Sequence, residues 1–227
     1  KNGKVKIGVL MGGPSAEHEV SIQTGKNVLG NLNSEKYHAQ AVVIDKNGKW
    51  PISKQSLKKN FDLAFNAMHG EYGEDGTIQK VLEKLKMPYT GSDSKASQLG
   101  MDKIKSHKAF QEAKLNIPEF VTDLKKIHQI GLPLVIKPVD RGSSVGVTIV
   151  HKYGDLMPAI KTALNCSKKI MAQKYILGKE YTCGVIRYHG NDVPLLPTEI
   201  IPKKNQFFDY ETKYNPESSE EITPPRS

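Results

Sequence analysis

The chain has 227 residues, 37% of them hydrophobic and 25% charged, with a formal net charge of +9. That length supports one large domain or two small ones with real cores, and no apolar run approaches the length of a bilayer-crossing helix. The charge is almost wholly lysine, the arginines being Arg141, Arg187 and Arg226, which argues against a nucleic-acid binder built on arginines interleaved with aromatics.

The opening residues join a basic start to a short apolar segment that ends in glycines. They read as a first β-strand, Val5 to Leu10, and not as a signal peptide. Its continuous apolar character is that of a buried parallel strand. Ser15 is placed to cap a helix whose face is marked by Ala16, Val20, Thr24, Val28, Leu29 and Leu32. Ala39 to Ile44 reads as a second strand and Phe61 to Asn66 as a third. Gly76 to Leu85 is helical, with Ile78, Val81, Leu82 and Leu85 on one stripe. This order describes an open α/β layer, residues 1–92.

Met101 to Ala113 reads as a helix with Ile104, His107, Ala109 and Phe110 toward a core. Strands follow at Leu134 to Lys137 and Val145 to Val150, then a helix from Leu156 to Leu164 and a strand from Lys169 to Tyr175. This is a small α+β module, residues 93–174, two helices against an antiparallel sheet. Strands at Tyr181 to Tyr188 and Pro194 to Ile201 open a third unit, residues 175–227, which turns loop-like from Asn205. Cys166 and Cys183 lack metal or redox spacing and read as buried thiols of a cytosolic protein.

The stretch Leu134 to Val147, LVIKPVDRGSSVGV, carries the sharpest chemical signal. Lys137 ends an apolar β-branched run, where lysine is rarely buried without an anion. It either snorkels to the surface or meets a phosphate. The loop of Arg141, Gly142, Ser143, Ser144 and Gly146 favours the phosphate, because such a loop brings backbone N–H groups and hydroxyls to an anion. Met171 to Thr182 has the shape of an adenine hinge, with Gln173 for the amino face and Glu180 for two ribose hydroxyls. Alone, it is equally a routine strand–turn–strand.

Met11 to Ser21 is a strand, a glycine turn and a helix start. Helix N-termini attract anions, but Glu17 and Glu19 lie there, which suits an ammonium group better than a phosphate. His69 follows the third strand, where open α/β sheets place their sites. Phe207 to Tyr214, FFDYETKY, reads as a lid or as an exposed tail.

Together these segments resemble the ATP-grasp superfamily and, within it, the bacterial D-alanine–D-alanine ligases. The matching pieces are GGPSAEHEVS, HGEYGEDGTIQ, PYTGS, MDKIKSH, VIKPVDRGSSVGV, QKYILGKEYT and FFDYETKY, in family order. The resemblance implies an N-terminal open α/β domain followed by an ATP-grasp fold. It implies a reaction in which ATP phosphorylates one D-alanine carboxylate and a second D-alanine's amine displaces the phosphate. Glu17 is similar to the residue that holds the first substrate's ammonium; Ser21, His69, Ser144 and Tyr210 resemble substrate-pocket residues. Lys103 and Lys137 resemble phosphate lysines, and Ser143 a flap serine near the γ-phosphate. Gln173, Lys174 and Ile176 match the adenine hinge and Glu180 the ribose acceptor. Lys213 and Tyr214 resemble lid residues that meet the transferred phosphate and the flap serine.

The family often has glutamate where this chain has Gln173, and Tyr214 favours D-alanine over D-lactate as second substrate. The resemblance also implies homodimers, although no feature of the sequence marks a dimer surface. It implies Mg²⁺, whose ligands in the family lie beyond the lid. This chain stops at Ser227 without them, so the expectation is a chain truncated in its C-terminal subdomain, or part of a longer record. Such a chain would bind adenine nucleotide and not turn over alone. The competing readings are an ester-forming D-alanine–D-lactate relative and a non-catalytic nucleotide-binding fragment.

Overall fold

The computed structural model describes residues 3–203 and 218–226, so the expectations for Tyr210, Lys213 and Tyr214 lie outside the described residues. The chain divides into two units, residues 1–115 and 116–227.

In the first unit, β1 (Val5–Gly12) lies between β2 (Tyr37–Ile44) and β3 (Leu63–Asn66), parallel to both. The alternation of side chains sends Ile7, Val9 and Met11 toward α1 (His18–Asn31) and Leu10 to the other face. There Leu10 meets Leu57 of α2 (Lys54–Asn60) and Ile78 and Leu82 of α3 (Thr77–Lys84). Both faces of β1 are covered, which is why its sequence is continuously apolar.

Helix α1 begins later than its sequence suggests. Ser15 does not cap the helix end; its Oγ accepts from the Glu17 N–H at 3.1 Å within the preceding turn. The buried line of α1 is Ser21 and Gly25, while Ala16 is exposed. A Cβ on Gly25 would stand 2.8 Å from the Cβ of Met11. The helix therefore approaches the sheet through its smallest residues, which a search for large apolar ones passes over. Helix α2 was not foreseen. Its cap, Ser53 accepting from Ser56 N, and the single buried Leu57 leave little periodic signal.

The helix expected from Met101 to Ala113 is α5 (Lys103–Glu112), and a separate helix, α4 (Ser94–Met101), precedes it. Asp102 ends one and caps the other, its Oδ1 accepting from the N–H groups of Ile104 and Lys105 at 3.1 Å. No described residue of α5 is buried and Phe110 is 45% exposed, so the core face expected there is absent from unit 1. Glu83, at the end of α3, accepts from Ser94 N–H, Ser94 Oγ and the Tyr89 hydroxyl.

The second unit holds a four-stranded antiparallel sheet in the order β4 (Phe120–Val121), β7 (Ile170–Lys174), β5 (Leu134–Pro138), β6 (Thr148–Val150). Leu134 and Ile136 pack on Ala159, Ile160 and Ala163 of α6 (Leu156–Cys166). The expected strand from Val145 starts only at Thr148. The single strand expected at Tyr181 to Tyr188 is two, β8 (Glu180–Thr182) and β9 (Val185–Tyr188), which break at Cys183 and Gly184 and enter different sheets. β9 pairs with β10 (Asn191–Pro194); β8 pairs with β11 (Thr198–Pro202), whose other edge carries β12 (Ser219–Ile222). The cysteines are not the buried thiols expected, since Cys166 is half-buried and Cys183 exposed.

Two outcomes follow for unit 1. The Ser21 hydroxyl accepts from Gly12 N–H at 2.8 Å and donates to the Ala67 carbonyl at 2.9 Å, all buried. Ser21→Ala leaves both backbone groups without that partner and will lower stability by about 1–3 kcal/mol, read from the urea midpoint. The Ser94 N–H and hydroxyl hold Glu83 below the usual carboxylate range. Its contribution is therefore present above that range and is lost as pH falls through the depressed value. Burial, then Glu83, pushes the Tyr89 phenol up to about 12, so its contribution is full below pH ~10 and lost as pH rises toward that value. Urea midpoints of wild type and Glu83→Gln will differ at neutral pH and converge in acid.

Candidate functional site

Polar side chains gather at the carboxyl end of the first unit's parallel sheet. β1 leaves the sheet through Gly12, whose N–H is held by Ser21 Oγ, and Gly13, whose N–H donates to the Ile44 carbonyl at 2.8 Å. The turn that follows carries Ser15 and Glu17, both buried, at 7% and 5% exposure. Ser15 Oγ donates to the His69 carbonyl at 2.8 Å, tying this turn to the loop after β3.

That loop is internally braced. Asn66 Nδ2 and Gln79 Nε2 both donate to the Gly73 carbonyl, and Gly70 N–H donates to Glu74 Oε2 at 2.6 Å. Gly70 has a φ of +68° and passes so close to Glu17 that a Cβ there would lie 2.5 Å from Oε2. Glycine answers both constraints at once. His69 is half-buried, its Nε2 2.8 Å from Thr24 Oγ1.

The two acids of the turn have different fates. Glu19 is exposed and pairs with Lys46 at 3.0 Å. The Lys46 hydrogen bond and charge hold its carboxyl below the usual range. Glu17 faces inward against Gly70. Ser21 is fully buried with its one donor on Ala67, so it holds the strand ends together and presents no proton outward. Lys103 opens α5, directly after the Asp102 cap.

The second unit builds its group on the sheet face turned away from α6. Lys137 alternates with Leu134 and Ile136 and so lies on that face, opposite Met171 in register. Gln173, on the same face of the neighbouring strand and 5% exposed, accepts a hydrogen bond at Oε1 from Lys137 Nζ. Past β5 the chain enters the loop 141–147. Ser143 and Ser144 have φ of +49° and +58°, a left-handed pair unusual for non-glycine residues. Observed strain of this kind is a signature of functional loops. Gly146 packs the loop's far end against Pro138 and Cys166, each 3.0 Å from where a Cβ would stand.

Past β7, Lys174 Nζ donates to the Ile130 carbonyl at 3.3 Å. Ile176 and Glu180 line a cavity of about 700 Å³ together with Lys179, Glu199 and Arg226. Glu199 is 3% exposed, pairs with Lys179 at 3.4 Å and accepts from Arg226 N–H at 3.0 Å. The cavity falls in the volume range of small-molecule sites. The structure thus brings Glu17 and His69 together in unit 1, and Lys137 and Gln173 in unit 2.

Thr24, Lys179, Glu199 and Arg226 were not singled out as site residues by sequence. An acid between Thr198 and Ile200 in an apolar strand is a readable signal; Thr24 carries none beyond its place on a helix face.

The family models for the D-ala D-ala ligase N-terminus match residues 6–61 and 51–92, and that for the D-ala D-ala ligase C-terminus matches residues 111–226. The chain is 40% identical to a D-alanine–D-alanine ligase of Geotalea uraniireducens and 42% identical to one of Trichlorobacter lovleyi, covering 97% of this chain and 70% of each relative. Among solved structures it resembles the VanG D-Ala:D-Ser ligase of Enterococcus faecalis (TM-score 0.83, 30% identity, 99% of this chain and 78% of that one). It also resembles the Bacillus anthracis D-alanine–D-alanine ligase complexed with ATP (TM-score 0.75, 32% identity, 96% of this chain and 70% of that one).

Gly70→Ala will move the Glu17 carboxylate or the loop. If Glu17 is the substrate's ammonium partner, this variant will raise the KM for the amino-acid substrate at least tenfold and leave the nucleotide KM within about twofold, a loss of roughly 1.4 kcal/mol of substrate binding. Steady-state kinetics of the protein as expressed from its gene, with each substrate varied in turn, checks it.

Proposed function

Because the chain belongs to the D-alanine–D-alanine ligase family, we propose that its strand-end group in unit 1 holds the amino-acid substrate and its unit 2 holds ATP. The reaction is the ATP-dependent ligation of two D-alanines to D-alanyl-D-alanine, a step of peptidoglycan synthesis. A carboxylate is a poor electrophile until one oxygen becomes a good leaving group. The first D-alanine's carboxylate oxygen attacks the γ-phosphorus and ADP leaves, giving an acyl phosphate. The second D-alanine's amine attacks the acyl carbon, loses a proton and expels inorganic phosphate. Little of this is covalent chemistry for the protein, so positioning and charge stabilisation supply the catalysis.

The observation that carries the assignment is Lys137, on the sheet face turned from α6 and bonded to Gln173, at the start of a loop with two left-handed serines. In the proposal Lys137 holds ATP phosphates, and Ser143 and Ser144 close on the γ-phosphate. Gln173, Lys174 and Ile176 take the base and Glu180 the ribose hydroxyls. Glu17 takes the first D-alanine's ammonium, with His69 beside it. Lys213, Tyr214 and Tyr210 complete the transfer site, and Tyr214 sets the choice of D-alanine as acceptor. Among the described residues no three His, Cys, Asp or Glu side chains converge as a metal site, so Mg²⁺, which the family implies, is given no ligands among them. No described helix is long and apolar enough to cross a membrane, and the proposal puts the reaction in the cytoplasm. The homodimer implied by the resemblance belongs to the same proposal.

Lys137→Met will weaken ATP binding by about 10- to 100-fold, the loss of one charge-assisted contact, measured by calorimetry on the purified chain. Glu17→Gln will leave ATP affinity unchanged and raise the D-alanine KM of the protein as expressed from its gene. Unchanged ATP affinity in Lys137→Met would remove the nucleotide assignment.

A further inference from the structure

Tyr72 stands in the loop after β3 with a φ of +71°. A bulky side chain rarely takes the left-handed region, because its Cβ crowds the backbone there. Such strain persists only where the surroundings hold it, and it clusters at functional loops. Here the N–H, the carbonyl and the hydroxyl are all held. The Tyr72 N–H donates to Asp75 Oδ2 at 3.0 Å, and its carbonyl accepts from Ile78 N–H at 3.0 Å. Its hydroxyl lies 2.9 Å from Trp50 Nε1. An indole nitrogen has only a proton to give, so Tyr72 Oη is the acceptor and the direction of this bond is settled. Both rings are half-buried against the core that contains Leu10.

The bond joins two connections of unit 1. Trp50 lies between β2 and α2, after a turn in which Asp45 Oδ1 accepts from the N–H groups of Asn47 and Lys49 at 2.8 Å. Just before that turn, the Ile44 carbonyl accepts from Gly13 N–H at 2.8 Å, at the entrance to the Glu17 turn. On the other side, Tyr72 comes two residues after Gly70, which borders Glu17 Oε2, and three after His69, whose carbonyl accepts from Ser15 Oγ. The chain doubles back around Tyr72, with Glu74 N–H donating to the Gly70 carbonyl at 2.8 Å. One segment, 44–50, therefore holds both the turn that carries Glu17 and the loop that runs against it.

We infer that Tyr72 is a positioning residue for the amino-acid site: the Trp50 indole holds its left-handed backbone in place, and this sets the His69–Gly70 segment beside Glu17. The inference rests on the reading of Glu17 and His69 as the amino-acid site. A ring needed for packing alone would be served by phenylalanine; the Tyr72 hydroxyl adds a fixed point from which the loop returns to Gly70. Coupling of this kind is reciprocal. If the tether raises the affinity for substrate by some factor, bound substrate tightens the tether by the same factor.

The test uses the protein as expressed from its gene. Tyr72→Phe keeps the ring and removes the acceptor; Trp50→Phe removes the donor. Each is expected to raise the D-alanine KM about fivefold, the loss of one neutral hydrogen bond, and to leave the nucleotide KM within about twofold. The double variant is expected to show the effect of one substitution and not the product of two. Trp50 is the one tryptophan of the 227 residues. In wild type, saturating D-alanine is expected to slow exchange of its indole proton about fivefold, read from ¹H–¹⁵N spectra of tryptophan-labelled protein. That reading is made on wild type and stands if a variant fails to fold. Single variants with the wild-type D-alanine KM, effects that multiply in the double variant, equal rises in both KM values, or an indole exchange rate that D-alanine leaves unmoved overturn the inference. Glu17→Gln separates it from the reading beneath it. An unmoved D-alanine KM there, with Tyr72→Phe and Trp50→Phe still raising it, keeps the tether and removes Glu17 as the ammonium partner. The reverse pattern keeps Glu17 and removes Tyr72 as a positioning residue.

Discussion

A lysine on the face of a β-sheet must be answered, and the second unit is organised around that requirement. Alternation along β5 gives Leu134 and Ile136 to the α6 core and leaves Lys137 on the opposite face. Gln173 meets it from the neighbouring strand. An amide oxygen accepts a hydrogen bond from the ammonium without bringing a negative charge. A carboxylate at that position would bring one. The sheet therefore orients the cation through a neutral partner, which leaves its charge uncompensated by Gln173, as the proposed phosphate contact requires. The loop of Ser143 and Ser144 starts three residues beyond β5, and the hinge of Ile176 and Glu180 starts where β7 ends.

The first unit solves a different problem with different means. Its parallel sheet is covered on both faces, which leaves the strand ends as the place where polar side chains gather. There Gly25 and Gly70 bring the backbone against the side chains of Met11 and Glu17, and the hydroxyls of Ser15 and Ser21 tie the loops. This bracing sets a buried carboxylate and a histidine on adjacent segments. Glu17 and Glu19 are two residues apart in sequence, yet one is buried against Gly70 and the other is an exposed partner of Lys46. Their separation comes from the turn, not from composition.

Much of this was legible in the sequence where apolar residues carry the signal. β1, α3, α6 and the strands around Lys137 stand close to where periodicity puts them. What periodicity missed has physical causes. The buried line of α1 is made of Ser21 and Gly25, so its face reads as shifted toward larger residues. Asp102 looks like an ordinary surface acid until its backbone N–H is seen ending α4 and its carboxylate capping α5. Cys183 and Gly184 break a run of strand-forming residues into two strands of different sheets. Glu199 and Thr24 act through partners distant in sequence, Arg226 and His69, and no local pattern announces such pairs. The motif segments were more legible than the fold, because their chemistry is concentrated in few residues.

The central claim is that Lys137 and its loop form a phosphate site served by the hinge after β7. A crystal structure of the protein with a non-hydrolysable ATP analogue tests it most directly. The account predicts phosphate oxygens within about 3 Å of Lys137 Nζ and of N–H groups in the 141–147 loop, with the purine against Ile176 and the ribose hydroxyls on Glu180. A nucleotide bound elsewhere, with Lys137 making no contact to it, would contradict the account.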